Sequence, residues 1–267
     1  MRQYLQAAAM EAADLYAAAI PRRLPDMDAL DQCKIISHRG ENDNREILEN
    51  TLPAFDTARA AGVWAIECDI RWTRDLVPVI HHDPGCERLF HDTVSVANLE
   101  FAELRKRFPL IPSLQEVISR YGGNTHLMLE IKAENYPAPE RQKAILQATL
   151  SPLTPGEDYH ILLLDPALFS RVDFLPSSVC YLVAELNVAR LSQYALQHGF
   201  GGLTGHYLML TSDVHKRHLA AGQRIGTGLV HSRNALFREL NRGVEWIFSN
   251  RAVKLQRILE ASKRLYS

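Results

Sequence analysis

Three short apolar runs in the first third of the chain each end in a cluster of ionisable residues. Ile35-Ile36 leads into Ser37-His38-Arg39-Gly40, Val63-Trp64-Ala65-Ile66 into Glu67-Cys68-Asp69, and Val77-Pro78-Val79-Ile80 into His81-His82-Asp83. A strand of this kind buries its apolar length and delivers its charged side chains to one rim. In parallel α/β folds the rim at the strand C-termini is where sites form. The pattern therefore points to a parallel sheet or barrel with one chemically loaded edge.

The remainder of the chain alternates. Apolar runs predict barrel strands over 34–37, 65–69, 126–131, 159–164, 179–184, 201–204, 224–230 and 245–249. Helices are predicted over 53–61, 114–121, 141–150, 188–198, 212–221, 232–241 and 253–265, with a short one over 166–172. Thr51 is placed to cap the first of these, and Gly62, Gly122, Gly199, Gly222 and Gly243 follow helix ends. The alternation breaks over about 71–112, where a short strand at 77–80 and a helix at 99–108 form an insertion above the barrel. Eight strands alternating with helices argue for parallel crossovers and a closed (β/α)8 TIM barrel. The 267 residues suit one such domain, 1–267, with a helix over 1–20 ahead of it.

Composition narrows the partners. The formal net charge is -1, so no global basic field favours nucleic acid, and no basic stripe with interleaved aromatics is present. No apolar run approaches the roughly 20 residues of a membrane helix. Glu11 and Asp14 interrupt the Ala-rich start, which predicts a helix rather than a secretory signal. Cys33, Cys68, Cys86 and Cys180 are scattered, as expected of small core residues in a reducing, cytoplasmic compartment.

Glu67 and Asp69 are two apart on one strand and share a face, which sends Cys68 to the other. Glu130 ends the next barrel strand. Three carboxylates at one rim repel each other unless a cation neutralises them. An all-oxygen set favours one hard divalent ion, Mg2+ or Ca2+, over zinc. His38 and His82, at neighbouring strand ends, suit a general acid and a general base. His81 should point the other way. Asp83 is placed to orient an imidazole or hold the turn. Arg39 and Lys132 supply cationic groups for phosphate oxygens, and Lys132 shares the face of Glu130. Glu49 and Asn50 are placed to fix the loop after His38.

Taken in order, His38-Arg39-Gly40, Glu49-Asn50-Thr51, Glu67-Cys68-Asp69, His82-Asp83 and Leu129-Glu130-Ile131-Lys132 resemble the glycerophosphodiester phosphodiesterases. The resemblance runs over about 34–250 and is densest in the first half. It implies a metal-dependent phosphodiesterase: Glu67, Asp69 and Glu130 on the metal, His38 and His82 catalytic, Arg39 and Lys132 on the substrate phosphate. The implied substrate is a small glycerophosphodiester, cleaved to sn-glycerol 3-phosphate and an alcohol. Two alternatives keep the same site, a lyase-type or a lysophospholipase D-like phosphodiesterase. A third is a catalytically silent phosphate-binding barrel. Which imidazole is the base, and whether water or a substrate hydroxyl attacks, stay open, as does the oligomeric state. The sequence departs from the family's pattern at four places. Leu76 stands where Gly usually follows Thr-x-Asp. Pro84-Gly85-Cys86-Glu87-Arg88 replaces Thr-Leu-x-Arg. Gly226-Thr227-Gly228-Leu229-Val230-His231 replaces a Trp-Thr-Val-Asn, and Ser249-Asn250 a Thr-Asp.

Overall fold

The computed structural model describes residues 14–266. Nine strands follow in chain order: β1 (Lys34–His38), β2 (Ala65–Trp72), β3 (Pro78–Ile80), β4 (His126–Ile131), β5 (Tyr159–Leu163), β6 (Cys180–Ala184), β7 (Gly202–His206), β8 (Arg224–Gly228) and β9 (Trp246–Ser249). All but β3 pair in parallel, and β1 pairs with both β2 and β9, which closes an eight-stranded (β/α)8 barrel. β2 and β4 are buried along their whole length. Helices cover one face and the barrel interior the other, so these strands show no apolar–polar alternation.

Several helices start where a side chain satisfies a free N–H group. Thr51 caps Leu52–Ala60, with Pro53 in its first turn, and Ser113 and Glu116 form a reciprocal capping box on Leu114–Tyr121. The helix expected over 1–20 lies mostly outside the described residues; 14–19 is helical. Among the described residues no helix is long and apolar enough to cross a membrane. The four cysteines are buried and unpaired.

Several boundaries differ from those predicted. β8 stops at Gly228 instead of running to 230, because Leu229 turns into the left-handed region with φ 61°. The strand expected from 179 starts at Cys180, after a 3-10 turn over Ser177–Val179. The segment Pro166–Arg171 is also 3-10. Helices at Met27–Gln32 and Glu87–Phe90 were not predicted; four to six residues are too few to show periodicity.

The insertion leaves the barrel at the end of β2. β3 folds back antiparallel on β2, with Ile70 opposite Ile80 and Trp72 opposite Pro78. The intervening turn places Leu76 at φ 65°, a conformation glycine adopts freely; the leucine side chain is 8% exposed and packs into the core. Beyond β3, Val79, Cys86, Val96, Leu104, Phe108 and Ile111 make a small core of the insertion's own. The predicted helix over 99–108 is Phe101–Arg107, preceded by a 3-10 turn at Val96–Asn98.

The barrel interior is filled from below. Ile36, Ala65, Met128, Leu162, Tyr181, Trp246 and Phe248 form one buried cluster. At the N-terminal ends of the strands Trp64 stacks on His126, with ring centroids 4.3 Å apart. His126 Nε2 lies 2.8 Å from His160 Nδ1, so one of these nitrogens donates to the other. This floor leaves the C-terminal rim as the accessible end of the barrel.

Candidate active site

Seven side chains from β1, β2, β4 and the end of β3 meet at that rim. His38, Arg39, Glu67, His82, Glu130 and Lys132 line a cavity of about 430 Å3. Asp69, fully buried, lies within the carboxylate cluster beside it. These are the seven residues singled out from the sequence.

β1 ends in a turn that needs glycine. Arg39 and Gly40 both have positive φ, 58° and 77°. A Cβ on Gly40 would lie 2.7 Å from the Ala54 Cβ and 2.8 Å from the Phe55 ring. The turn brings the Arg39 N–H to Glu67 Oε2 at 3.0 Å, tying β1 to β2 at the rim. Asn50 locks the turn from the other side. Its N–H donates to the Arg39 carbonyl at 2.9 Å, and its amide Nδ2 to Asp69 Oδ2 at 2.7 Å.

Glu67 and Asp69 project from β2, and Glu130 is the register partner of Asp69 on β4. One oxygen of each can be chosen so that all lie within 4.8 Å of one another. Lys132 Nζ donates to Asp69 Oδ1 at 3.0 Å and to Glu130 Oε1 at 2.5 Å. Arg39 Nε lies 3.3 Å from Asp69 Oδ2, and its NH1 donates to Glu49 at 3.0 Å. Burial works against the Asp69 carboxylate, but Lys132 and Arg39 hold it well below the ordinary range. Glu67 is pushed well up by burial and by Asp69 and Glu130, and Glu130 rises to about 6 from burial and Asp69.

This electrostatic imbalance is the test of a cation. Glu67 Oε1 is buried without a hydrogen-bond partner. Two of three carboxylates hold protons more tightly than usual because burial and the neighbouring carboxylates outweigh the charge of Lys132 and Arg39. The oxygen-only set, its spacing and the orphaned oxygen together fit a hard divalent ion.

The two imidazoles have different partners. His38 Nδ1 is 2.5 Å from Asn250 Oδ1, across 212 positions of sequence. An amide oxygen only accepts, so this contact puts the proton on Nδ1 and leaves Nε2, 3.8 Å from Glu67 Oε2, with its lone pair. Burial and the charge of Arg39 push His38 down to about 4. His82 Nδ1 is 2.8 Å from Asp83 Oδ1. Arg88 fixes that carboxylate, its Nε donating to Asp83 Oδ2 at 2.6 Å, and its NH2 donates to Glu49 Oε1 at 2.6 Å. Burial opposes the Glu49 charge, yet Arg88 and Arg39 bring it down to about 2. Burial also lowers His82. His81 turns away: it is 2% exposed, with Nε2 3.0 Å from the Gly85 carbonyl. Cys68 faces the outer core.

Sequence reasoning missed Arg88 and Asn250 as members of this network. The Arg88–Glu49 and Asn250–His38 contacts are long-range, and the only signal was that each residue follows a predicted strand end or polar turn. Arg71 was missed too: 5% exposed, it donates from Nε to the His82 carbonyl at 2.8 Å and pairs with Glu134.

A model of the glycerophosphoryl diester phosphodiesterase family matches residues 38–161. The chain is 29% identical over 136 residues to glycerophosphodiester phosphodiesterase 1 of Homo sapiens, covering 46% of this chain and 40% of that protein. It is 29% identical over 126 residues to a glycerophosphodiester phosphodiesterase of Caldanaerobacter subterraneus, covering 43% of this chain and 51% of that one. The matched stretches thus span about half or less of these relatives' length. Solved structures share the fold over nearly the whole barrel. A Thermotoga maritima glycerophosphodiester phosphodiesterase superposes with TM-score 0.71 at 19% identity, over 85% of this chain and 98% of that one. An Oleispira antarctica phosphodiesterase, solved with the product sn-glycerol-3-phosphate, gives 0.72 at 23%, over 87% and 99%. The matched segment contains the whole carboxylate, lysine and histidine constellation, and over it the chain is similar to the glycerophosphodiester phosphodiesterase family.

Proposed function

We propose that this protein is a metal-dependent phosphodiesterase that hydrolyses glycerophosphodiesters to sn-glycerol 3-phosphate and an alcohol. The observation that carries the reading is the under-neutralised carboxylate triad with two imidazoles and two cations at one cavity. Glu67, Asp69 and Glu130 would hold one divalent cation, Mg2+ or Ca2+. When bound, it supplies positive charge to phosphoryl oxygens. Arg39 and Lys132 present guanidinium and ammonium groups to the same cavity, where a phosphodiester monoanion can accept from both.

The imidazole partners divide the proton work. His38, its Nδ1 proton held by Asn250, offers the Nε2 lone pair and is the base toward an attacking water. His82 faces Asp83, whose charge stabilises an imidazolium, so His82 is the acid that protonates the departing alkoxide. Arg88 and Arg71 act through others, the first on Asp83 and the second on the His82 backbone.

The test is a panel of glycerophosphocholine, glycerophosphoethanolamine and glycerol 3-phosphate, assayed with Mg2+, Ca2+ and excess chelator, with products identified by phosphorus NMR. Diesters should be cleaved only with metal, and the monoester not at all. Full turnover in metal-free chelator, or preference for the monoester, refutes the reading.

A further inference from the structure

The cavity has two unlike arcs. The arc contributed by β5–β9 is largely apolar, with Leu162, Val183, Met209, Leu229 and Phe248 along it; its ionisable members among the described residues are Glu185 and His206. The arc contributed by β1–β4 carries the ionisable groups described above. Each of those side chains except His82 stands on a barrel strand or one residue past its end. His82 follows β3, which is three residues long and belongs to the insertion. Contacts outside the barrel ladder must therefore hold it at the rim.

Those contacts come from β2. Glu67, Asp69 and Arg71 alternate along that strand and share a face. The His81 N–H donates to the Asp69 carbonyl at 2.9 Å, and Arg71 Nε donates to the His82 carbonyl at 2.8 Å. The chain leaving β4 answers with the opposite order of charge. Lys132 Nζ meets Asp69 at 3.0 Å, and two residues on, Glu134 Oε2 accepts from Arg71 Nη1 at 3.2 Å. The Tyr136 hydroxyl fixes this segment by donating to the Lys132 carbonyl at 2.9 Å. The Arg71 and Glu134 side chains are 6% and 13% exposed, so the guanidinium depends on that carboxylate for its counter-charge. With one nitrogen on Glu134 and another on His82, its plane is fixed. Without Glu134 it would be a buried charge free to turn toward Asp69, and the His82 carbonyl would lose its donor. Glu134 is not among the residues lining the cavity, so any effect it has on the reaction passes through Arg71.

We propose that Glu134 is a positioning residue for the acid step: it fixes Arg71, and Arg71 holds the backbone of His82 so that the imidazole meets the leaving oxygen. The proposal rests on the phosphodiesterase reading above and adds the residue that sets its leaving-group step. The chemistry is unchanged: water adds to phosphorus, the P–O bond to the leaving alcohol breaks, and that oxygen takes the proton of His82. A leaving group that departs as a stable anion needs no such proton. That difference separates a positioning role from a role in stability alone.

The experiment compares two substrates, using the whole protein with Mg2+ or Ca2+. Glycerophosphocholine loses an alkoxide and needs the acid; the p-nitrophenyl ester of glycerol phosphate loses a stabilised phenolate and does not. The variants are Glu134→Ala, Glu134→Gln and His82→Ala, with urea midpoints for each. The amide of Glu134→Gln keeps an oxygen for Arg71 and puts its nitrogen where Oε1 accepts nothing, so this variant folds. Glu134→Ala should lower kcat on glycerophosphocholine about 10- to 100-fold with KM little changed, and Glu134→Gln about three- to tenfold. On the nitrophenyl ester both losses should shrink to about twofold or less. A loss in folded protein that is equal on the two substrates, or absent from both variants, overturns the proposal and leaves the phosphodiesterase reading standing. Equal losses on the two substrates in His82→Ala overturn the assignment of the acid, and this proposal with it. No diester cleaved by the parent with either metal overturns the phosphodiesterase reading as well.

Discussion

Asn250 sets the character of His38, and exchanging its amide for a carboxylate tests this directly. Asn250→Asp is close to isosteric and puts a negative charge where the amide oxygen now stands, 2.5 Å from Nδ1. The imidazole of His38 is held down to about 4 by burial and by Arg39. An opposite charge at this range raises a titrating group by about 1–3 units. The variant's base should therefore take its proton at roughly pH 5–7. The sign follows: a base with a raised pKa is protonated, and idle, at higher pH. The acid limb of the kcat/KM profile, which reports the free enzyme, should move up by about 1–3 units, and activity at pH 5.5 should fall to about a tenth of that at pH 8. Asn250→Ala should instead lower activity at every pH, by about 10- to 100-fold, without moving the limb upward, because it removes orientation and adds no charge. Profiles would be measured on glycerophosphocholine at saturating metal, with circular dichroism to confirm the fold. An acid limb in Asn250→Asp that coincides with the parent's would refute the assignment of His38 as base through this contact.

Three further outcomes follow from the geometry. His82→Ala and His38→Ala should each lower turnover about 100-fold or more, whereas His81→Ala should cost far less; equal losses for His81 and His82 in folded protein would contradict the placement of these rings. Gly40→Ala, with a Cβ 2.7 Å from Ala54 and φ 77°, should destabilise the fold by roughly 2–5 kcal/mol, and an unchanged urea midpoint would show that the turn is not held as described. The His126–His160 pair should make stability acid-sensitive. Burial holds them to about 4 and about 3, below the ordinary 6.5, so their contribution is complete above pH 6.5 and is lost as pH falls toward 4 and below. That is on the order of 3 kcal/mol for His126; urea midpoints of the parent and of a His126→Asn, His160→Asn double variant falling in parallel between pH 7 and 4 would contradict it.

The barrel was legible in the sequence because parallel strands covered on both faces are unbroken apolar runs, and because Gly62, Gly122, Gly199 and Gly222 follow helices. The carboxylates were legible because β-strand periodicity alone puts Glu67 and Asp69 on one face. The antiparallel direction of β3 was not, since three residues carry no directional signal. Nor was the left-handed Leu229, where a leucine gives no local hint of positive φ. Arg88 meets Glu49, 39 positions away, and Asn250 meets His38, 212 positions away, only through tertiary closure; the Arg88 contact with Asp83 is local.

The two unlike arcs of the cavity come from opposite halves of the polypeptide, and the family match ends at residue 161, one position before Leu162 opens the apolar arc. On the proposed reading, the ionisable arc and the apolar arc are close to separable modules of one closed sheet. Grafting β5–β9 from another barrel of this kind would exchange what is held while leaving β1–β4 to cut it. Such a graft has two seams, β4 against β5 and β9 against β1, each a parallel ladder of backbone bonds indifferent to side-chain identity. The exception is Asn250, which lies just past the second seam on the recognition side and reaches back to His38. A hybrid that loses it would keep its architecture and metal ligands yet misorient the base, so the crossover point belongs at the end of the strand, before Asn250, which then stays with the parent chain.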